Sequence, residues 1–328
     1  KQINSLSFER QIILIKGARR FQLEKIGNQL ALKTHGTVLR INMNNLAHNL
    51  NIYRAMLNPG VKTMAMVKAF SYGSGQAEIA RLLANQRVDY LAVAYADEGA
   101  DLRRQGIRLP IMVMNPEPET FDQLKQYQLE PEIYSIEILK AFIQSIGKDD
   151  ASIHIKIDTG MHRLGFVEND IPELLVLLKS HQHIRVASIF SHLAGADENK
   201  HDNFSEHQIT LFNKIASIIQ TTLGYQPLRH ILNSSGISRM PHAQFDMVRL
   251  GIGLYGVDPS AVLQNTLLPV GTLQTNIAQI HDVKRGESIG YSRSFIADKN
   301  MRIATINIGY ADGFSRRMSN GKGMDSLY

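Results

Sequence analysis

The run Thr63-Met64-Ala65-Met66-Val67-Lys68-Ala69-Phe70-Ser71-Tyr72-Gly73-Ser74-Gly75 is the point from which the fold can be read. An apolar, strand-like segment delivers a single lysine, Lys68, to its carboxyl end. A turn rich in Gly, Ser and Tyr follows at once, and a helical pattern then runs over 76–85. A solitary ammonium at the end of a buried strand is costly to desolvate. It is either a lysine that snorkels to a barrel rim or a nucleophile. Desolvation lowers an amine pKa and frees its lone pair for a Schiff base with an aldehyde cofactor.

Outward from this unit, short apolar or β-branched runs alternate with helical patterns. Strands are expected at 37–43, 63–68, 90–94, 111–114, 132–134, 152–157, 186–190 and 230–233. Helices are expected at 45–57, 76–85, 136–146, 171–178 and 205–223. Strict alternation implies parallel strands with crossover helices. Eight such strands predict an α/β fold, a (β/α)8 TIM-like barrel whose site lies at the carboxyl ends of the strands. A doubly wound sheet would look the same in its first half. After Gly256 the texture becomes β-rich, with strands expected at 272–280 and 301–308 around a Gly286-Glu287-Ser288 turn. The predicted domains are an N-terminal segment and linker (1–34), the barrel (35–257) and a partial, mainly β domain (258–328). The last holds roughly 70 residues, thin for an independent β domain.

Composition narrows the function. A chain of 328 residues with 44% hydrophobic content has ample core. It has no apolar run near the roughly 20 residues of a membrane span and no secretory h-region, so a cytoplasmic protein is expected. Without cysteine there is neither disulfide nor thiolate-bound metal, and no metal site is predicted. The net charge of +6 is spread without blocks, and there is no Trp to stack bases, which argues against nucleic acid.

Several motifs, taken in order, carry a resemblance. VKAFSYGSG (67–75) is similar to the cofactor-lysine motif of alanine racemases, which use pyridoxal 5′-phosphate. Lys68, Ala69, Tyr72, Gly73 and Gly75 match, while Phe70, Ser71 and Ser74 depart. HIKIDTGMHRLGF (154–166) closely resembles the family's K-x-D-T-G-M-x-R-L-G, from Lys156 to Gly165. SIFSHLAGADE (188–198) ends its strand on His192. Asn233-Ser234-Ser235-Gly236 and Arg249-Leu250-Gly251-Ile252-Gly253-Leu254-Tyr255-Gly256 follow in the family order, with Leu250 in place of proline. Ile289-Gly290-Tyr291-Ser292 and Ile308-Gly309-Tyr310-Ala311-Asp312-Gly313 complete the set.

The resemblance implies interconversion of L- and D-alanine for peptidoglycan synthesis by a two-base isomerase. It implies that Lys68 carries the cofactor and that Tyr72, Ser234 and the N–H groups of Gly251 and Ile252 cradle its phosphate. Asn233 would line the same site, and His192 would pack against the pyridine ring. Arg249 would face the ring nitrogen, and Arg163 would bind the phenolic oxygen and the substrate carboxylate. Lys156 would be either carbamylated or a plain ion-pairing lysine. Tyr291 would be the second base, reaching the site of the other subunit in a homodimer. An isolated tyrosine has a pKa of about 10, so it would need cationic neighbours. Tyr310 would line the substrate entrance, and Met324 would contact the substrate.

Two features depart from the family. Met324-Asp325 follows Gly313 too soon for the family's Met-Asp, so either residues are lacking near 323–324 or the dipeptide is a coincidence. Residues 11–26, QIILIKGARRFQLEKI, resemble the tail of the Mur ligase that adds D-alanyl-D-alanine, implying the racemase half of a ligase–racemase fusion. The rivals are a basic amino acid decarboxylase of the same fold, against which Arg249 and GYADG speak, and a non-catalytic cofactor-binding barrel, which should lack Tyr291. Substrate choice between alanine and serine is open.

Overall fold

The computed structural model of the chain describes residues 36–319. These divide into two compact units, Ile41–Thr272 and a second made of residues 36–40 with 273–319. Beyond the expected barrel span, 35–257, the chain through Thr272 packs with the same unit, where Leu267 and Val270 are buried and the Asn42 N–H donates to Val270 O at 2.8 Å.

The larger unit is a barrel of eight parallel strands: β2 (Lys62–Met66), β3 (Tyr90–Val93), β4 (Ile111–Val113), β5 (Glu130–Ile133), β6 (Ala151–Lys156), β7 (Ile184–Phe190), β8 (Leu228–His230) and β9 (Met247–Leu250). They run in the order β8-β7-β6-β5-β4-β3-β2-β9. The seam between β8 and β9 is bridged by Asp246 N to Arg229 O and Arg249 N to Leu232 O, both 3.0 Å. The expected number of strands is right and the membership is not. The first expected strand, at 37–43, appears as β1 (Val38–Ile41), which pairs with β10 (Gly271–Gln274) outside the barrel. The eighth barrel strand is β9; its Arg249 and Leu250 belong to the motif at 249–256, and no strand is expected there from the sequence.

Helices α1 (Met43–Arg54), α2 (Gln76–Asn85), α3 (Ala96–Arg104), α4 (Phe121–Gln126), α5 (Ile136–Ile146), α6 (Ile171–Ser180), α7 (Asp202–Leu223) and α8 (Ser234–Arg239) surround the strands. Their ends are specified locally. Asn42 accepts from Asn44 N and Asn45 N at 3.0 and 3.1 Å, and Ser135 from Ile138 N at 3.3 Å. Such caps contribute about 1 kcal/mol each. Gly224, left-handed at φ 75°, ends the 22-residue α7.

The buried apolar side chains form a large cluster between strands and helices, with Leu50, Ile79, Leu91, Ile155 and Phe212 fully buried. A smaller cluster of Met64, Met66, Ala92, Met112, Phe190 and Met247 fills the barrel bore. Buried parallel strands usually read as continuous apolar runs. Here polar residues recur along them, and Glu132, His154, Lys156, Ser188, His230 and Arg249 are all buried.

In the second unit, β11 (Ile277–Val283) pairs antiparallel with β14 (Met301–Ile306), and β12 (Ser288–Ile289) with β13 (Phe295–Ile296). It is β-rich, as expected. No helix among the described residues is long and apolar enough to cross a membrane. The motif at 11–26 and Met324 lie outside the described residues.

Candidate active site

The carboxyl ends of the barrel strands surround a cavity of about 250 Å³. Its walls include Lys68, Tyr72, Arg163, His192, Asn233, Ser234, Arg249, Gly251 and Ile252, the barrel residues that the resemblance places around the cofactor, while Lys156 is not among them. Tyr291 and Tyr310 belong to the second unit, where they are 91% and 52% exposed.

Lys68 lies just beyond β2 rather than inside it, and opens a turn unlike the one expected. Ala69, Phe70, Ser71 and Tyr72 all have φ between 51° and 57°, a left-handed turn made without glycine. Left-handed geometry costs roughly 1–2 kcal/mol per L-residue, so neighbouring contacts must hold it. Glu98, nearly buried at the start of α3, accepts from Ala69 N at 2.6 Å and from Ala94 N at 2.7 Å. Gly75 N closes the turn on Phe70 O at 3.0 Å. Burial, and then the Arg163 charge, lower the Lys68 pKa, against the opposing pull of Glu132 and Glu98.

The left-handed turn brings Tyr72 beside Tyr255, with ring centroids 4.7 Å apart. Its hydroxyl faces Gly251, where a Cβ would stand 3.1 Å from Tyr72 Oη and 3.9 Å from Ser234 Oγ. Ser234 Oγ accepts from Gly251 N at 2.9 Å and Gly253 N at 3.3 Å. Asn233 caps α8, its Oδ1 accepting from Gly236 N at 2.9 Å.

Arg163 projects from a tight loop that leaves β6. Phe166 N donates to Lys156 O at 2.9 Å and Asp158 N to Phe166 O at 3.0 Å. Asp158 Oδ1 accepts from Gly160 N at 2.9 Å. Gly165 permits the closure: its φ is +134°, and a Cβ there would lie 2.5 Å from Asp158 N.

Arg249 rises from β9 with both terminal nitrogens of its guanidinium hydrogen-bonded. Nη2 donates to Ser191 O at 2.6 Å, Ile231 O at 3.0 Å and His192 Nδ1 at 3.2 Å, and Nη1 to His230 Nδ1 at 2.7 Å. Burial brings its pKa down to about 10, which still leaves it cationic at neutral pH. Burial and the neighbouring Arg249 push both His192 and His230 well below the usual imidazole range, so each is neutral. Below them, Lys156 Nζ pairs with Glu132 Oε1 at 2.9 Å in a fully buried ion pair. Of the two states the sequence left open for Lys156, the ion-pairing one thus has its partner. Burial raises the Glu132 pKa, opposed by Lys156, Arg249 and Arg163.

Glu98, Glu132 and His230 were not foreseen. Glu132 and His230 stood at the edges of expected strands and were read as strand limits. The signal that marks them is polarity inside a segment whose alternate residues are apolar, as in Glu130-Pro131-Glu132-Ile133.

The sequence model described as "Alanine racemase, N-terminal domain" matches residues 41–259, and the one described as "Alanine racemase, C-terminal domain" matches 270–326. The chain belongs to the alanine racemase family. It is 37% identical over 287 residues to the alanine racemase of Clostridium novyi, covering 84% of this chain and 73% of that protein. Among solved structures, the alanine racemase of Clostridium difficile superposes with a TM-score of 0.77 at 35% identity, over 86% of this chain and 76% of that one. A Bacillus anthracis alanine racemase solved with bound L-Ala-P gives a TM-score of 0.79 at 28% identity, over 88% and 76%. Alanine racemases are isomerases that depend on pyridoxal 5′-phosphate, and their structures share the barrel and β-rich parts seen here. These relatives support a racemase and not the decarboxylase or the non-catalytic barrel.

Proposed function

We propose that the chain interconverts L- and D-alanine with pyridoxal 5′-phosphate, supplying D-alanine for peptidoglycan in the cytoplasm. The observation that carries this reading is the meeting of three features in one cavity: a lysine weakened by burial, a hydroxyl-lined cradle opened by a glycine, and a buried arginine. A Cβ at position 251 would fill the space facing Tyr72 and Ser234, and its absence leaves room there for a phosphate beside the two hydroxyls. These features fit a phosphorylated aromatic aldehyde.

Lys68 would hold the aldehyde carbon, and Tyr72, Ser234 and the Gly251 and Ile252 N–H groups the phosphate. Asn233 supports the cradle through its cap on α8. His192 would lie against the ring and Arg249 at the ring nitrogen. When bound, the cofactor withdraws electrons from the substrate α-carbon and so acidifies its proton. The Arg249 cation disfavours protonation of the ring nitrogen, which limits that withdrawal and favours proton exchange over transamination. Arg163 would fix the substrate carboxylate through its planar fork. Tyr291 Oη, from the partner subunit, would take the α-proton of L-alanine while Lys68 Nζ returns one to the opposite face. The reverse direction exchanges the two roles. Tyr310 would border the substrate entrance, and Met324 would contact the substrate.

A homodimer is supported by the exposure of β11 along most of its length, Ile277 and Ile280 included, which is apolar surface a second copy would cover. Residues 11–26 support a ligase fused upstream, drawing on the same D-alanine. The assignment is tested by borohydride reduction of the cofactor-loaded protein and peptide mapping. The label should fall on Lys68, and a labelled peptide lacking Lys68 would sink it.

A further inference from the structure

Arg249 does not end the hydrogen-bonded system in the barrel bore. Arg249 Nη1 lies 2.7 Å from His230 Nδ1, His230 Nε2 lies 2.8 Å from Ser188 Oγ, Ser188 Oγ lies 2.7 Å from His154 Nδ1, and His154 Nε2 lies 2.9 Å from Glu130 Oε2. His154, Ser188 and His230 are fully buried. Glu130, at the amino end of β5, lines a cleft of about 520 Å³ on the opposite side of the strands from the active-site cavity. The chain therefore runs the length of the bore.

Its direction is fixed at both ends. A guanidinium only donates and a carboxylate only accepts. His230 must then offer a bare Nδ1 to Arg249 and carry its proton on Nε2. Ser188 accepts that proton's bond and donates its own to His154 Nδ1, and His154 donates Nε2–H to Glu130. Two aromatic rings hold the imidazole planes: Phe190 stacks on His230 at 5.0 Å and 3°, and Tyr90 meets His154 edge-on at 5.7 Å. Reversing the chain would turn a His230 N–H against the Arg249 N–H. Arg249 opposes that state from one end and Glu130 from the other, so loss of the Glu130 acceptor removes one of the two constraints.

We propose that Glu130, His154 and Ser188 are positioning residues that hold His230 as a one-way acceptor and so fix the Arg249 guanidinium at the cofactor ring. The effect on turnover rests on the racemase reading, whereas the proton arrangement does not. The full-length chain labelled with ¹⁵N-histidine therefore separates the two, measured with and without pyridoxal 5′-phosphate. Both His154 and His230 should carry a proton on Nε2 and present a bare Nδ1. Glu130→Met should shift the ring nitrogens of both, while Glu130→Gln, which keeps an acceptor oxygen, should leave them unchanged. In a Ser188→Ala background the Glu130→Met change should no longer reach His230.

Glu130→Met should also lower kcat roughly 3- to 10-fold, the worth of one buried hydrogen bond, with KM unaltered. That loss should vanish in the Ser188→Ala background. A His230 proton on Nδ1, His230 signals indifferent to Glu130→Met, or additive effects of Glu130→Met and Ser188→Ala would each overturn the proposal. Expected nitrogen signals in a chain that turns over no alanine would leave the hydrogen-bond chain standing and remove the racemase reading instead.

Discussion

At the scale of single residues, the buried charges in the bore are compensated in two ways, Arg249 by carbonyl oxygens and imidazoles and Lys156 by a carboxylate. Glu132 and Lys156 compensate each other at 2.9 Å, so removing one leaves the other uncompensated in the core. Glu132→Gln should cost about 3 kcal/mol of unfolding free energy, and Glu132→Gln with Lys156→Met should recover much of it. Urea unfolding that is unchanged in the single variant would contradict the pairing. His192 and His230 have folded pKa values held below the unfolded one. As pH falls below about 6.5 the unfolded state takes up protons that the folded state refuses, so stability drops, by at most about 1.4 kcal/mol per pH unit per histidine. The urea midpoint should therefore be lower at pH 5.5 than at pH 7.5; an equal or higher midpoint would count against the neutral histidines. The residues at the cavity mouth were legible because each sits in a motif whose chemistry needs that residue type. Glu132 and His230 were harder to place, because each begins an expected strand, where the alternation that marks a polar position needs the residues before it.

At the scale of elements, the left-handed turn at 69–72 links local strain to the placement of Lys68 and Tyr72. Strained backbone of this kind persists only where its surroundings over-determine it, and Glu98 does so by accepting from the N–H groups of Ala69 and Ala94. Glu98→Ala should loosen the turn, weakening cofactor affinity roughly 10- to 100-fold by analogy with residues that support ligands indirectly. Fluorescence titration with pyridoxal 5′-phosphate measures this, and unaltered affinity would assign Glu98 to structure alone. The turn was invisible in the sequence because no glycine announces four consecutive positive φ values. The helices were easier: α2 and α5 fall at the predicted positions, since amphipathic periodicity, helped in α5 by the Ser135 cap, marks them. The exchange of β1 for β9 has a related cause. Both are short runs of three apolar residues and one arginine, and only the sheet order distinguishes a barrel strand from an outer one.

At the scale of the whole molecule, the parallel barrel was readable from strict alternation. The unit boundary was less so, because the segment after Gly256 has no helix yet packs on the barrel through Leu267 and Val270. The proposed dimer makes each site depend on two chains. Mixing inactive Lys68→Ala and Tyr291→Phe variants should restore part of the activity through hybrid dimers, and no recovery after verified subunit exchange would confine Tyr291 to its own chain. The most direct test of the central claim is the circular dichroism of L-alanine incubated with the cofactor-loaded protein. The signal should decay to zero as the racemate forms, at a rate that falls away when the cofactor is removed or Lys68 is replaced by alanine. A stable L-alanine signal with the loaded wild-type chain, or a decay indifferent to Lys68, would contradict it.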